Sequence, residues 1–285
     1  MRLEFSFRGI LIGGSLIWLS ILAVIPYLIL IAVSFFDKGS DSSLVALTPT
    51  WANYAHLLSP AVFTMALDST VLAAVAALLC LVAGYPFAYM LARSAGKLQP
   101  LLLLLVMIPF WTNSLIRTYA LVVMLKNDGI INMALLRLGL ISQPVQLMYT
   151  PLAVFIGLVY TLLPFMILPL YAALKTVDPR LLEAGRDLGA GWLQNFTRIT
   201  IPLTMPGIIA GSMLVFLPAL GMFYISDILG GAKTMLLGNF IRDQFLVFRD
   251  IPVGSAASVT MTVVMGIMLV LYYLSSRRLG KGLEQ

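Results

Sequence analysis

The sequence predicts an all-α, polytopic membrane protein with six transmembrane helices. Three observations carry this. Of 285 residues, 60% are hydrophobic and only 11% are charged, against roughly 25% charged in soluble domains; the mean hydropathy is +0.99. The apolar residues gather in six runs, each near the ~20 residues a helix needs to cross a bilayer. None of these runs alternates apolar and polar residues as barrel strands do. This composition excludes an ordinary soluble enzyme and a disordered chain. The formal charge of +6 comes from scattered residues, with no basic tract for nucleic acid.

The first run covers residues 10–35 and is preceded by Arg2 and Arg8. Its apolar stretch, Gly9 to Phe36, outlasts the ~7–15 residues of a signal-peptide core, so it reads as a retained membrane anchor. The second run, 65–92, holds the only cysteine, Cys80, as a packed thiol. The others are 100–124, 151–174, 205–227 and 256–275. Together they make one transmembrane domain over 1–285. A single Cys excludes a disulfide framework, and a single His, His56, excludes a histidine metal cluster. Pro26, Pro164, Pro169 and Pro218 fall inside runs, where each removes a backbone donor and kinks the helix. Such kinks either line a transport cavity or only aid packing.

Positive charge orients the helices, because Lys and Arg collect on the cytoplasmic side. With both termini inside, the inner segments hold Arg2, Arg8, Arg93, Lys97, Lys175, Arg180, Arg186, Arg198, Arg277, Arg278 and Lys281. The outer loops hold Lys38, Lys126, Arg137, Lys233, Arg242 and Arg249. This excess puts residues 175–204 in the cytoplasm.

The stretch from Asp178 to Pro202 reads as two short helices. Asp178 is a good N-cap and Pro179 suits the first helical position. Leu181, Leu182 and Leu188 form one apolar stripe, and Gly189 and Gly191 end that helix. Trp192, Phe196 and Ile199 form a second stripe, and Pro202 marks the next boundary. These faces lie on the chain's own bundle or dock into a partner.

The segment resembles the coupling loop of the integral-membrane subunits of bacterial ABC importers. That pattern reads Glu-Ala-Ala, three residues, Gly, nine residues, Ile-x-Leu-Pro. Here Glu183-Ala184-Gly185, Gly189 and Ile199-Thr200-Ile201-Pro202 keep the spacing, with Gly185 for Ala and Ile201 for Leu. Within that family, Ile108–Tyr119 (IPFWTNSLIRTY), Leu162–Met166, Asp187–Ala190, Ile201–Gly211 and Tyr224–Gly231 are similar to the permeases of spermidine/putrescine importers. The resemblance implies a type I ABC importer permease fold in the bacterial inner membrane. It implies a second homologous permease subunit, two copies of a cytoplasmic ATPase and an extracytoplasmic substrate-binding protein. Glu183, Ala184, Gly185, Asp187, Gly189 and Trp192 would then form the coupling surface. This chain has no phosphate-binding G-x-x-x-x-G-K-[ST] loop, so ATP and Mg are expected on the ATPase and no cofactor on this chain. It is read as a non-catalytic transport subunit. Permeases for an amino acid or a sulfur oxyanion, an ion-driven carrier and a membrane scaffold are the alternatives.

A polyamine pathway needs carboxylates, aromatic faces and some apolar wall, since aromatic rings attract cations. Intramembrane charges are the first candidates. At ~1.5 Å per residue, Asp68, Arg117 and Asp227 all fall toward the outer side of their spans. Asp68 is a pathway residue or a helix-end residue at the water interface. Arg117 reads as a structural charge held by an acid or by carbonyls. Asp227 shares a helical face with Phe223 and Tyr224, and either meets substrate, or only neutralises Arg117 or caps its helix. Trp111, Asn113, Tyr119 and Tyr160 are further candidates, or packing and interfacial residues.

Overall fold

The computed structural model describes residues 7–39, 45–94, 96, 98–231 and 235–281. Arg2, Lys97 and Lys233, and the side chains of Arg8, Arg277, Arg278 and Lys281, lie outside the described residues. In chain order the elements begin with α1 (Phe7–Leu19), a π turn (Ser20–Val24), α2 (Ile25–Ser34), β1 (Phe36–Lys38), β2 (Val45–Pro49) and α3 (Ala52–Leu57). There follow α4 (Pro60–Arg93), α5 (Leu98–Met107), a 3-10 turn (Ile108–Trp111), α6 (Ser114–Leu125), α7 (Ile130–Arg137) and α8 (Pro151–Thr176). The chain continues with α9 (Pro179–Asp187), α10 (Trp192–Asn195), a second π turn (Phe196–Thr200), α11 (Ile201–Gly221), α12 (Phe223–Gly230), α13 (Leu237–Leu246) and α14 (Ile251–Lys281). Among the described residues, six helical stretches are long and apolar enough to cross a membrane: 12–34, 60–93, 114–137, 151–176, 192–221 and 251–274.

Three expected stretches differ from the hydropathy reading, each for a backbone reason. Residues 100–124 are not one helix. Pro109 has no N–H to give, the 3-10 turn ends, and Thr112 and Asn113 are extended (φ −103°, ψ 142° and φ −60°, ψ 133°). Asn113 then restarts the helix as N-cap, accepting the Leu115 N–H at 2.8 Å. Residues 205–227 also break, at Met222 (φ −79°, ψ 65°), so that Phe223, Tyr224 and Asp227 stand on a separate helix, α12. Pro202, by contrast, marks no boundary. The helix runs on from Trp192 to Gly221.

The π turns explain how two prolines are tolerated. A helical proline lacks a donor, and its ring crowds the carbonyl one turn back. In the first π turn the Ile25 N–H donates to the Ser20 carbonyl, just before Pro26. In the second, the Ile201 N–H donates to the Phe196 carbonyl, just before Pro202. One widened turn supplies room in both cases. Pro164 and Pro169 lie inside a continuous α8, and Pro218 inside α11.

The chain divides into two compact units, residues 1–64 with 239–266, and 65–238 with 267–285. In the first, β1 and β2 form an antiparallel hairpin. Buried Asn53 ties its base down, donating to the Ser34 and Phe36 carbonyls at 2.9 and 2.8 Å. Lys38 reaches Asp250 at 3.3 Å.

The second unit is built around α8. Leu158, Leu162, Met166, Leu170 and Leu174 recur every four residues and are at most 2% exposed, forming one ridge of the kind that packs into a neighbouring groove. The groove belongs to α11, where Gly207 and Gly211 lie four apart, a spacing that lets membrane helices approach closely. A Cβ added at Gly207 would strike the Ala173 Cβ and lie 2.8 Å from the Pro169 carbonyl oxygen; at Gly211 it would lie 2.7 Å from Met166 Sδ. On α4, Ala73, Ala76, Cys80 and Ala88 are fully buried, and a Cβ at Gly84 would meet Met166 of α8 at 3.2 Å. The hydroxyls of Tyr85 and Thr204 join α4 to α11 at 2.9 Å.

This packing makes a prediction. Gly207→Val overpacks the α8–α11 contact and should cost about 1–3 kcal/mol, read as a lower melting temperature of the detergent-solubilised protein. Gly266→Val is the control, because a Cβ there meets nothing within 4 Å. Equal melting of the two variants would refute close packing at Gly207.

Candidate functional site

The loop between α8 and α11 is rigidly built. Asp178 accepts the Arg180 N–H at 2.9 Å and starts α9. At the other end the Ala190 and Gly189 N–H groups donate to the Gly185 and Arg186 carbonyls, both at 2.9 Å. This Schellman closure needs a left-handed residue, which Gly189 supplies at φ +82°. Gln194 Oε1 accepts the Gly191 N–H at 3.2 Å at the start of α10.

The apolar stripes divide between two directions. Leu182, Asn195 and Thr200 are buried, and Phe196 and Ile199 are half-buried. Phe196 meets the Tyr85 ring edge-on at 5.5 Å. Leu188 is 89% exposed and Trp192 70%, with Leu181 and Leu193 also exposed. Glu183, Ala184, Arg186, Asp187 and Gly189 share this outer surface, whereas Gly185 is buried. Trp192 stacks on Phe196 with centroids 5.5 Å apart and planes 8° apart. The loop therefore does both things its stripes allowed: one set of side chains anchors it to α4 and α11, and another is left facing outward.

Gly185 stands where the family pattern has Ala, and Asn195 explains the exchange. A Cβ at position 185 would collide with Asn195 Oδ1 and come within 3.0 Å of Ile199 Cδ1. Asn195 is held there because its Nδ2 donates to the Leu182 carbonyl at 3.0 Å. Sequence reading missed Asn195; the small residue ten positions earlier was the available signal. It also missed that Arg93 lies over the Tyr89 ring, 5.7 Å from its centroid, beside this loop's anchor.

The charge and aromatic candidates sit on α4, α5–α6, α8 and α12. Helix α12 packs against both α6 and α8. It brings half-buried Asp227 to these helices, with the Phe223 and Tyr224 rings perpendicular at 6.4 Å. The Arg117 guanidinium lies 5.8 Å from the Tyr160 ring centroid, and its buried Nε has no hydrogen-bond partner among the described residues. Among the described residues Arg117 makes no ion pair, so the alternative in which Asp227 neutralises it is not seen. Trp111 at 74% and Tyr119 at 59% exposure point away from the unit's interior. Asn113 serves as a cap, and Asp68 is exposed on α4. Among the described residues, no group of three or more His, Cys, Asp or Glu side chains is placed to hold a metal ion.

Six apolar spans with a capped, outward-facing loop between the fourth and fifth match the architecture the loop's sequence pattern implied. The chain belongs to the family of binding-protein-dependent transport system inner membrane components, whose family model matches residues 84–285. It is 51% identical over 281 residues to the spermidine/putrescine transport system permease protein PotB of Salmonella typhimurium (strain SL1344), covering 99% of this chain and 98% of that protein. PotB of Escherichia coli (strain K12) is 53% identical over 267 residues, covering 94% and 97%. Among solved structures, a bacterial ABC transporter that imports the acidic polysaccharide alginate matches with a TM-score of 0.69 at 20% identity, covering 94% of each chain. The alginate transporter in complex with an alginate pentasaccharide-bound periplasmic protein matches with a TM-score of 0.74 at 18% identity, covering 96% and 98%. The chain is thus a multi-pass permease subunit with the fold of ABC importers.

The Gly185–Asn195 contact is testable by a double-mutant cycle. Gly185→Ala alone should cost about 1–3 kcal/mol by overpacking. Combined with Asn195→Ala, it should recover part of that loss, because the colliding carboxamide is gone. Strictly additive effects on the melting temperature would show that the two side chains do not couple.

Proposed function

We propose that this chain is a permease subunit of an ATP-driven polyamine importer, with both termini in the cytoplasm. The observation that carries the reading is the extent of similarity to spermidine/putrescine permeases, 47–53% identity over at least 94% of the chain. In this proposal a second homologous permease completes the membrane pathway. Two copies of a cytoplasmic ATPase bind ATP and Mg, and an extracytoplasmic binding protein delivers substrate.

The geometry suggests how force travels. The ATPase takes the exposed face of Glu183, Ala184, Asp187, Leu188 and Trp192. Gly189 and Gly185 let that face form. Because α10 runs through a π turn into α11 without a break, displacement of Trp192 acts directly on α11. Phe196 against Tyr85 carries part of it into α4. On the outer side, Asp227, Tyr224 and Phe223 on α12 contact the cationic substrate. Trp111, Asn113, Tyr119, Tyr160 and Asp68 are secondary pathway candidates. The break at Met222 lets α12 move apart from α11.

Uptake by the reconstituted importer tests this. Spermidine or putrescine should accumulate only with ATP, and sulfur oxyanions or amino acids should not compete. Uptake driven by a membrane potential without ATP would overturn it. In that assay Asp227→Asn should lower uptake about tenfold, the value of one charge-assisted contact, with assembly and basal ATPase activity unchanged. Adding Arg117→Gln should not restore it, since among the described residues Arg117 makes no ion pair. Normal uptake by Asp227→Asn over a concentration series would remove Asp227 from the pathway.

Orientation is tested separately. With Cys80 replaced by Ala, a cysteine at position 192 should resist a membrane-impermeant thiol reagent in intact cells and react in inverted vesicles. Labelling from outside would reverse the topology.

A further inference from the structure

The segment between α6 and α8 holds a pocket of about 290 Å³ lined by Lys126, Asn127, Asp128, Gln146, Met148 and Tyr149. Its two walls come from positions some twenty residues apart, and one side chain joins them. Asn132 on α7 is 0% exposed. Its Nδ2 donates to the Lys126 carbonyl at 3.2 Å and the Val145 carbonyl at 3.0 Å, and its Oδ1 accepts the Val145 N–H at 3.0 Å. A polar side chain so fully bonded in a buried place fixes a local geometry.

Tyr149 is the unusual member. It holds a left-handed backbone at φ +60°, which costs a non-glycine residue about 1–3 kcal/mol. Its N–H donates to the Leu229 carbonyl at 2.9 Å. Its ring lies against Gly231, where a Cβ would come within 2.6 Å of Cδ1. The strained residue is therefore clamped to the end of α12, the helix that carries Asp227. The residue remains half exposed and lines the pocket together with buried Met148.

We infer that this pocket is a receiving site for one terminal alkylammonium group, upstream of α12. Among the described residues Asp128 makes no ion pair, and it supplies the carboxylate. Asn127 and Gln146 offer carboxamide oxygens. The Tyr149 ring supplies a cation-attracting surface, and Met148 an apolar wall for the attached methylenes. Lys126 on the same lining opposes a second nearby cation, so the site takes one ammonium with its next amine held several carbons away. Tyr149 bridges pocket and helix, so occupancy is felt at α12. The inference rests on the polyamine reading of the importer.

The test uses the reconstituted importer complex with its binding protein, and spermidine as the probe. Asp128→Asn and Tyr149→Asn should each lower uptake at subsaturating substrate about fivefold, the scale of one cation–aromatic contact. Asparagine tolerates the left-handed backbone, so Tyr149→Asn removes the ring without the fold; Asp128→Asn, on an exposed side chain, carries the test should that variant melt early. Tyr149→Phe, which keeps the ring, should transport faster than Tyr149→Asn, Lys126→Gln should transport faster than the wild type, and binding-protein attachment should be unchanged in all four. Wild-type uptake by both Asn variants overturns the site and leaves the importer's function standing. Loss of uptake in Lys126→Gln alone, or loss of binding-protein attachment in step with uptake, also overturns it, making the pocket an anion site or a docking contact. A wild-type complex that moves no spermidine overturns the polyamine reading, and this inference with it.

Discussion

A helix in hydrocarbon cannot leave a peptide group unpaired, and this chain carries 15 prolines, each lacking a donor. Much of its irregular structure follows from reconciling the two. Before Pro26 and Pro202 the helix widens by one residue and continues. After Pro109 it stops, and a side-chain cap starts the next helix. Where it continues, motion at one end reaches the other. Where it stops, two segments gain freedom to move separately. The distribution of these two solutions divides the molecule into a stiff part and a jointed part.

The stiff part is the Trp192–Gly221 helix gripped by α8. Apolar burial gives helices little reason to associate in lipid, so their grip depends on close contact. Gly207 and Gly211 bring the α11 backbone down onto the Pro169 carbonyl and Met166. The four-residue ridge of α8 fills the groove beside them. Such packing has few intermediate arrangements, so under the proposed coupling a displacement at the loop would shift α11 as a body. The jointed part is at the opposite end of α11, where Met222 leaves helical geometry and α12 begins. Of the candidate substrate residues, Phe223, Tyr224 and Asp227 lie beyond that joint.

The sequence legibly carried the spans, because hydropathy sums over some twenty residues and outweighs local detail. The loop was legible in its caps, Asp178 and Gly189, since each answers a specific backbone need. The breaks at residues 112–113 and 222 were not. Both lie inside runs that are apolar throughout, and hydropathy does not register a change in ψ. Asn113 carried a readable cap signal but also fitted a list of polar pathway residues. Gly185 registered as a departure from a pattern, while its cause, Asn195, is visible only in three dimensions. Tyr149 gave no signal, because a left-handed tyrosine is dictated by its neighbours at Leu229 and Gly231 and by nothing in its own chemistry.

Arg117 shows why pairing cannot be read from a list of charges. A lone cation inside a span invites a search for the nearest acid, and Asp227 was the obvious choice. The structure instead lays its guanidinium over Tyr160. Cation–aromatic attraction strengthens as water is removed, so a ring meets part of the need an acid would otherwise meet. This alters two roles together. One face of Tyr160 is taken by the protein's own cation and is closed to a passing ammonium. Asp227 and Arg117 are therefore separate candidates and not one neutralised pair. In the polyamine reading proposed above, a fixed cation at this depth would also disfavour a resting ammonium beside it. If α12 takes the substrate as proposed above, attraction there and opposition next to Arg117 would give the uneven profile that a carrier needs to release what it admits.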